Sequence, residues 1–543
     1  MSLRLPPAFF TLLFFSALFV LGVTIHRDYG CSVDEDVQRE TGAVTVHHVI
    51  GRLPAVLRPP PSLPVRFAGF PAKPIPLDEY YDKDYGVAFE APAVALEILF
   101  GLTDTRDIFL FRHLLTFLVC LGGAYAVYRL ALRRFADRRI ALLAVAVLVL
   151  TPRLFADSFY NSKDAVFMAA FAIALNTAIA FVLQPRPWRA VLHALATAFA
   201  IDVRVAGIVL IAATVTLLVA RAVRREMMPR QCLAALAIYL AATTMLVVAL
   251  WPWLWSDPLG HFGQALASMS KFRFDYEVLY LGDYVRATQL PWHYLPFWIS
   301  ITTPPLYLLL FLAGTAAVAR QFIASGRHLW RSEAELQDLV FLGIFLVPVA
   351  VAILLHSVLY DGWRQLYFIY PAFLLVALRG WHALWSGTVA ARILRPVLVA
   401  ATAISFLATA GWMWRVHPLQ NVYFNVLAGS NLQARFEMDY WGLSTRQGLE
   451  KVLASDPRPS ILVGETNRLA LPGSIWLLRP QDRQRLRVRS DPTIPDYTFT
   501  NHHRFLQDPG NAPYMQHFEL FHEVKVQDEV VLSIFKRKAS SGG

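Results

Sequence analysis

Long apolar runs without charged residues alternate with short polar segments from the N-terminus to about residue 414. A helix needs about 20 apolar residues to cross the ~30 Å hydrocarbon core of a bilayer. Most of the runs reach this length or approach it with their flanking residues, so we predict eleven transmembrane helices. The predicted spans are Leu5–Ile25, His113–Tyr128, Ile140–Leu150, Ala165–Leu183, Ala190–Ile201, Val205–Ala220, Leu233–Leu254, Tyr294–Ala319, Leu339–Leu355, Tyr367–Leu378 and Pro396–Trp412.

The amino-acid composition supports an integral membrane protein and excludes a soluble one. Of the 543 residues, 56% are hydrophobic and 16% are charged, and the mean hydropathy is +0.44. Soluble domains average about 45–50% apolar and about 25% charged residues. The first run lacks a small-x-small cleavage site, so we interpret it as a retained anchor rather than a signal peptide.

The positions of the arginines explain the net charge of +11 without a nucleic-acid partner. Cytoplasmic loops of membrane proteins are enriched in Lys and Arg. With the N-terminus inside, 17 arginines fall in cytoplasmic loops, whereas only four basic residues fall in short outer loops. The inner residues are Arg129, Arg133, Arg134, Arg138, Arg139, Arg186, Arg189, Arg221, Arg224, Arg225, Arg230, Arg320, Arg327, Arg331, Arg379, Arg392 and Arg395. The outer residues are Arg153, Lys163, Arg204 and Arg364.

The chain divides into a membrane module and a polar C-terminal domain. Residues 1–414 form the module, with a first outer loop at residues 26–112, and residues 415–543 follow an odd number of spans and are therefore extracytoplasmic. A helical pattern at Arg446–Ala454, an apolar run at Ser460–Gly464 and two alternating runs predict a small α/β domain in this tail. The alternating runs are Glu523–Gln527 and Val530–Lys536, which read as a hairpin. The predicted fold class is a polytopic α-helical membrane protein with an extracytoplasmic α/β domain.

An acidic trio, Asp34, Glu35 and Asp36, directly follows the first span on the outer side. A carboxylate in this position can act as a general base, with a neighbour that orients it or binds a cation. The alternative is a solvated acidic start of the loop. Charged residues at the edge of the bilayer are by default functional candidates, so Asp34 and Glu35 are candidate catalytic residues.

A second polar cluster occupies the short outer loop before the fourth span and contains Asn161, Lys163 and Asp164. Helix capping and compensation of the helix dipole would by themselves explain Asp164. However, several polar groups packed between two apolar helices need partners, which favours a functional site. We assign Asp164 to the candidate catalytic set and Asn161 and Lys163 to substrate binding.

Two further outer loops each present an arginine. Arg204 follows Asp202, and Arg364 precedes a run of aromatic residues that includes Tyr370. An arginine beside an apolar surface suits a phosphate, because the guanidinium can bind it through two hydrogen bonds. The alternatives are a local ion pair with Asp202 for Arg204, and an interfacial anchor within an aromatic belt for Arg364. Three loops that present cations to one face favour binding roles for Arg204, Arg364 and Tyr370.

The chain lacks the short motifs of common metal and nucleotide sites. No His-Glu-x-x-His, Cys-x-x-Cys or Gly-x-x-x-x-Gly-Lys-Ser/Thr sequence is present. The missing phosphate-binding loop argues against an ATP-driven pump. The sequence assigns no metal ligand and requires no cofactor, and a divalent cation is left open.

The arrangement of these motifs resembles GT-C glycosyltransferases of the glycosyltransferase family 39 type. This family includes protein O-mannosyltransferases and lipid A aminoarabinose transferases. The resemblance covers the whole membrane module and rests on Asp34-Glu35, the loop that ends in Asn161-Ser-Lys-Asp164, and Phe89-Glu90-Ala-Pro92. The tail segment Arg435–Gly442 also looks like bacterial members of the group.

The resemblance implies roles for particular residues. Asp34 would be the catalytic base, Asp164 would assist donor or acceptor binding, and Glu90 would belong to the substrate site. Aminoarabinose transferases have Glu-Lys-Pro where this chain has Glu90-Ala91-Pro92, so Lys163 is the candidate for the missing charge.

The family also implies a substrate class and a location. The donor would be a polyprenyl-phosphate sugar, and the sugar would move with inversion to a hydroxyl of a lipid, glycan or protein acceptor. The protein would lie among the lipids of a bacterial inner membrane, with its site facing the periplasm or the cell exterior. The rival hypothesis is a transporter or flippase of lipid-linked sugars, which typically has inverted repeats and a site near the midplane of the bilayer.

Overall fold

The computed structural model describes residues 7–54, 75–270, 274–387, 391–466, 471–489, 493–501 and 509–539. Helices form almost all of the part before residue 417. In chain order they are α1 (Pro7–Ile25), α2 (Glu35–Arg52), α3 (Glu90–Leu99), α4 (Thr105–Phe135), α5 (Arg138–Val149), α6 (Pro152–Tyr160), α7 (Asp164–Leu183), α8 (Pro187–Ile201), α9 (Ile208–Val223), α10 (Pro229–Leu250), α11 (Pro258–Ser270), α12 (Tyr294–Thr302), α13 (Pro305–Ser325), α14 (Glu333–Leu354), α15 (Tyr370–Ser386) and α16 (Ala391–Val416). A short antiparallel ribbon, β1 (Glu277–Tyr280) and β2 (Asp283–Arg286), lies between α11 and α12.

The helices confirm a polytopic membrane protein. Within the described residues, nine helices are long and apolar enough to cross a bilayer: α1, α4, α7, α9, α10, α13, α14, α15 and α16. The predicted span Ile140–Leu150 lies in the pair α5–α6, which is bent by 74°. The predicted span Ala190–Ile201 lies in α8, which has 15 residues and is therefore about 22 Å long at 1.5 Å per residue.

A buried polar cluster holds the short helix α8 among its neighbours. His193 of α8 is fully buried, and its ring nitrogens hydrogen-bond to Thr177 of α7 at 3.0 Å and to Thr214 of α9 at 2.8 Å. The His193 ring also stacks on Tyr239 of α10, with 4.7 Å between the centroids. Polar groups inside a bilayer are stabilised when they pair across helices, so the cluster joins four helices.

The predicted single span Tyr294–Ala319 is wrong in one respect, because it consists of two helices. Helix α12 ends at Thr302, and α13 begins at Pro305. Thr303 is extended, as expected for a residue that precedes proline, and Pro304 has no N–H to continue the helical hydrogen bonds. Helix α13 then packs closely on α15 where Gly314 faces Gly380, since neither glycine has a Cβ to separate the backbones.

The C-terminal part contains the predicted α/β domain. Its helices are α17 (Ser444–Ser455), α18 (Leu471–Trp476), α19 (Pro480–Arg483) and α20 (Ala512–Met515). Its strands β3 (Ile461–Glu465), β4 (Leu486–Val488), β5 (Tyr497–Thr500), β6 (Phe518–Val526) and β7 (Glu529–Arg537) form one mixed sheet in the order β4-β3-β5-β7-β6. The predicted helix, first strand and hairpin are α17, β3 and β6–β7, and all are confirmed.

The C-terminal domain packs against the outer end of α4. Arg483 pairs with Asp104, the N-cap of α4, and the Arg106 Nε donates to the Leu477 carbonyl oxygen at 3.0 Å. The Trp476 ring stacks on Phe109, with 5.5 Å between the centroids. The domain and the first outer loop therefore lie on the same side of the helices.

Labelling from outside the cell is expected to reach the C-terminal domain. A cysteine that replaces exposed Ser455 should react with an impermeant thiol reagent in intact cells, because this residue follows an odd number of predicted spans. A matched cysteine at exposed Arg327, in a predicted cytoplasmic loop, should react only after lysis. The reverse pattern would invert the proposed orientation.

Candidate active site

Three outer segments meet at the guanidinium of Arg364. The Arg364 Nη1 donates to Asp164 at 2.9 Å and to Asp34 at 3.3 Å. The Nη2 and Nε donate to Asp361 at 3.0 and 3.2 Å. The segments before α2, α7 and α15 thus converge, as the clustering of outer-loop charges predicts. Every guanidinium nitrogen of Arg364 contacts a carboxylate.

Asp164 is the innermost carboxylate of this cluster. It is 1% exposed at the first position of α7, and its Oδ1 pairs with the Arg204 Nη1 at 2.8 Å. Asn161 orients it, since the Asn161 Oδ1 accepts the Asp164 backbone N–H at 2.7 Å. Because two arginines share Asp164, this residue holds Arg204 and Arg364 in place rather than facing solvent.

Asp34 is the most accessible carboxylate of the cluster. It is the N-cap of α2, and its side chain is 37% exposed, compared with 21% for Asp361 and none for Asp164. A carboxylate that acts as a general base must reach the group from which it takes the proton. Of these three groups, Asp34 is the best placed to do so.

Asp361 lies in a tight turn before Arg364. Both Asp361 and Gly362 have left-handed backbone conformations, with φ of 54° and 77°. Burial raises the pKa of Asp361 to about 6, although the charge of Arg364 opposes this effect, and the nearby Asp34 adds to it. The turn therefore brings a second carboxyl group next to Asp34.

Lys163 lies beside the cluster with its ammonium over an aromatic ring. Its Nζ is 3.2 Å from the centre of the Tyr85 ring. Burial lowers the pKa of Lys163 to about 7, and the charge of Arg204 lowers it further. A negative charge bound nearby would therefore stabilise the charged form of Lys163.

The alternative that Arg204 forms a local ion pair with Asp202 is wrong. Arg204 pairs with Asp164, whereas the Asp202 Oδ1 accepts the Val87 N–H at 3.1 Å, and its carbonyl oxygen accepts the Ala88 N–H at 3.2 Å. The turn after α8 separates the two side chains. Asp202 therefore holds the first outer loop, near Tyr85, while Arg204 faces the site.

Two predicted site residues, Glu35 and Tyr370, lie outside the cluster. Glu35 is buried, where its carboxylate contacts His113 at 2.9 Å and accepts the Ser32 N–H at 2.7 Å. Tyr370 is fully buried at the start of α15, and its hydroxyl lies 3.2 Å from that of Thr151. Through these contacts, both residues pack around the site.

Glu90 also lies behind the cluster, in a buried chain of ion pairs. It pairs with Arg112, which binds Glu97 at 2.9 Å, and Glu97 in turn binds Arg39 at 2.9 Å. The other Glu90 oxygen accepts the Ser162 hydroxyl at 2.6 Å. Glu90 therefore ties the loop before Asp164 to helices α2, α3 and α4.

The carboxylates that converge at the site already pair with Arg364. No group of three His, Cys, Asp or Glu side chains in the described ranges is arranged to hold a metal ion. Asp34, Asp164 and Asp361 all contact the Arg364 guanidinium, which occupies the position between them. A divalent cation would have to displace Arg364, so the residues present do not fit a shared metal site.

Comparisons with known proteins identify similar structures at low sequence identity. No family model matches the chain, and no curated protein sequence matches it. ArnT from Cupriavidus metallidurans bound to undecaprenyl phosphate is 14% identical, with a TM-score of 0.49, and the match covers 98% of this chain and 99% of that one. The apo oligosaccharyltransferase of Archaeoglobus fulgidus is 11% identical, with a TM-score of 0.49, and the match covers 97% of this chain and 75% of that one.

A third similar structure is the oligosaccharyltransferase AglB from Archaeoglobus fulgidus in complex with an inhibitory peptide and a dolichol-phosphate. It is 10% identical, with a TM-score of 0.44, and the match covers 98% of this chain and 75% of that one. Likenesses this distant assign no residue and no substrate, so the role of the site depends on its own geometry.

The sequence pattern missed the contribution of the C-terminal part. The Trp441 ring lies 4.6 Å from the Arg364 Cζ, and Tyr360 lies 4.8 Å from it on the same guanidinium. Burial raises the pKa of Glu437 to about 8, and the negative charge of Asp361 adds to this effect. The available signal was the dense aromatic and acidic composition of Arg435–Gly442 within a polar tail.

Proposed function

We propose that this protein is a membrane glycosyltransferase that moves a sugar from a polyprenyl-phosphate donor to an acceptor hydroxyl, with inversion, at the outer membrane face. The main support is that the carboxylates of the cluster differ in their exposure and in their partners. Asp34 is partly exposed and reaches solvent, whereas Asp164 is fully buried between Arg204 and Arg364. A reachable base next to a fixed array of cations suits a reaction that deprotonates a hydroxyl and releases a phosphate.

The reaction balances with these groups. The acceptor oxygen bonds to the anomeric carbon as its proton passes to Asp34. On the opposite side, the bond from that carbon to the phosphate oxygen breaks, and polyprenyl phosphate leaves with the electron pair. A single displacement of this kind inverts the anomeric configuration.

Arg204 and Lys163 are the best-placed cations for the leaving phosphate. Both polar contacts of Arg204 among the described residues use Nη1, to Asp164 at 2.8 Å and to the Gln365 carbonyl oxygen at 3.4 Å. The Lys163 ammonium lies over Tyr85. Arg364 instead contacts three carboxylates. We therefore propose that it organises the site and adds to the total positive charge there.

An apolar cavity next to the site supports a lipid-linked donor. The cavity, of about 220 Å³, is lined by residues that include Leu290, Trp292, Tyr294 and Leu359. Tyr294 also lies near Asp361 and Glu437, which places the cavity beside the cluster. A donor with its phosphate at the cations could place the first units of its chain in such a space.

The proposed function can be tested with purified protein and a polyprenyl-phosphate sugar labelled in the sugar. A cell-envelope extract supplies lipid, glycan and protein acceptors, so the class that becomes labelled identifies the acceptor. We expect the label to move to one class while unlabelled polyprenyl phosphate is released. Movement of the intact donor across the bilayer without a new glycosidic bond would favour the rival transporter or flippase instead.

Use of the donor is expected to weaken as the pH rises. The pKa of Lys163 is lowered to about 7, so its ammonium is charged below this pH and is lost above it. The phosphodiester of the donor keeps its negative charge over this range. The donor KM should rise between about pH 6 and about pH 9, by up to the roughly 10-fold that separates a charged from a neutral hydrogen-bond donor. A bound phosphate will shift this rise to higher pH, because a nearby negative charge raises the pKa of the lysine.

The matched variant for this experiment is Lys163→Arg, whose guanidinium stays charged over the whole pH range. Its donor KM should change less with pH than that of the unmodified protein. Identical pH profiles for the two proteins would remove Lys163 from the phosphate site.

A further inference from the structure

We propose that the segment Phe436–Ser444 completes the active site and that Trp441 is a positioning residue for Arg364 and Asp34. This inference rests on the proposed function for its kinetic test, but not for its structural one. The segment belongs to the C-terminal part of the chain, beyond the last membrane-spanning helix. Its contacts with Arg364 and with the residue before Asp34 provide the evidence.

The first contact is between Trp441 and the guanidinium of Arg364. Trp441 is 1% exposed, and its ring lies 4.6 Å from the Arg364 Cζ, which has a second aromatic contact with Tyr360 at 4.8 Å. An arginine beside Trp is attracted to the face of the ring, most strongly where water is excluded. Arg364 must satisfy three carboxylates in different directions, so these rings limit where its guanidinium can lie.

The second contact is between the backbone of Trp441 and the residue before the proposed base. The Trp441 carbonyl oxygen accepts the Val33 N–H at 3.1 Å. Val33 directly precedes Asp34, the N-cap of α2. One residue therefore contacts Arg364 through its ring and the residue that precedes Asp34 through its carbonyl group.

The turn that carries Trp441 is itself held by a buried carboxylate. Asp439 is 2% exposed and accepts hydrogen bonds from the Ser444 hydroxyl at 2.6 Å, the Ser444 N–H at 2.9 Å and the Asn421 amide at 3.0 Å. Gly442 has a φ of 73°, a conformation that side chains other than Gly rarely adopt. The turn thus presents Trp441 from a rigid support, as positioning requires.

A contact made only for packing is available for comparison in the same domain. Trp476 is half-buried and stacks on Phe109 at the outer end of α4, away from Arg364. Both tryptophans join the C-terminal domain to the membrane module, but only Trp441 touches the site. Substitutions of the two therefore separate docking of the domain from positioning of the guanidinium.

The test compares Trp441→Leu, Trp441→Phe and Trp476→Leu in the transfer assay. Trp441→Leu should lower kcat by about 3- to 30-fold, equivalent to about 0.7–2 kcal/mol at 1.4 kcal/mol per tenfold. Trp441→Phe keeps an aromatic face and should recover most of the activity. Trp476→Leu should leave kcat within about twofold of the unmodified protein. Equal losses for Trp441→Leu and Trp476→Leu would reduce Trp441 to a docking residue.

A double-mutant cycle tests whether Trp441 acts through Arg364. In an Arg364→Gln background, Trp441→Leu should cause little further loss, because the cation that it positions is absent. An undiminished loss in that background would overturn the proposal. If Trp441→Leu does not fold, the same cycle with Trp441→Phe applies, with a smaller expected loss that should again vanish.

A thermal version of the cycle keeps the two proposals separate. If the unmodified protein transfers no sugar, the proposed function fails. The contact can still be measured as the change in melting temperature for Trp441→Leu, Arg364→Gln and the double variant. A combined shift smaller than the sum of the single shifts is expected, and strict additivity would overturn the pairing of Trp441 with Arg364.

Discussion

Replacing Asp34 by Asn is expected to lower kcat for sugar transfer by about 10²–10⁴-fold, the usual contribution of a general base. The amide has nearly the same shape but cannot take the proton of the acceptor. It can still accept a hydrogen bond from Arg364, which lies 3.3 Å from the Asp34 carboxylate. Donor binding and the melting temperature should therefore change little, and the loss should appear in kcat.

Asp28→Asn is the matched control for this prediction. Asp28 lies just after α1, is half exposed and pairs with His417 at 2.9 Å, away from Arg364. This variant should retain nearly full activity. Transfer by Asp34→Asn within a few-fold of the unmodified protein would remove Asp34 from the role of base, and Asp361 would become the leading candidate.

Replacing Arg364 by Ala is expected to damage both donor use and stability. The change leaves Asp34 and Asp361 facing each other without their shared cation, and leaves Asp164 with Arg204 alone. An uncompensated buried charge costs about 3–5 kcal/mol of unfolding free energy. Loss of the positive charge of Arg364 beside Arg204 and Lys163, and of the order that it imposes on the carboxylates, should also weaken donor use by roughly 10-fold or more, which is about 1.4 kcal/mol. Donor titrations and thermal unfolding measure the two effects separately.

Three further variants identify the source of these losses. Arg364→Lys should recover activity only in part, because a point charge cannot reach three carboxylates at once. Asp361→Asn combined with Arg364→Ala should recover stability, since it removes one uncompensated charge. Arg379→Ala breaks an ion pair with Asp338 at the opposite end of α15 and should leave donor use unchanged. Wild-type donor use in Arg364→Ala would make Arg364 an interfacial anchor.

The convergence of the outer loops could be predicted from the sequence, because charge bias fixes which loops share a face. Arg204, Arg364, Asp34 and Asp164 were all placed on one side in this way, and the structure brings all four together. The partner of each charge could not be predicted. Arg204 has an aspartate two residues away, yet it pairs with Asp164, because the turn after α8 directs Asp202 toward the first loop.

The neighbours Asp34 and Glu35 show a second limit of the pattern. Both are acidic and adjacent at the start of α2, but successive residues on a helix differ in direction by about 100°. Asp34 therefore faces Arg364, while Glu35 faces His113. Which residue of an acidic pair faces a site depends on how the helix packs, and α2 has no strong apolar stripe that would show this in the sequence.

Contacts between distant parts of the chain leave no trace in the hydrophobic periodicity of the sequence. Trp441 and Glu437 reach the site from beyond the last span. The pattern of aromatic residues near Arg364 predicts a binding role for Tyr370, but this residue packs in the core at the start of α15. Hydrophobic periodicity describes one helix or strand at a time. It therefore predicted the elements of the C-terminal domain but not the segment that this domain contributes to the site.

The hydrogen bond from Val33 to Trp441 has a consequence for the biogenesis of the protein. It joins a residue just after the first span to one that is synthesised only after the last span, on the same face of the membrane. Arg364 is synthesised before α15 and α16, but Trp441 follows both helices, so the first loop lacks the tryptophan until the tail has been synthesised. A chain still being inserted therefore carries an incomplete cluster around Arg364, and the proposed site is assembled only when synthesis is nearly complete.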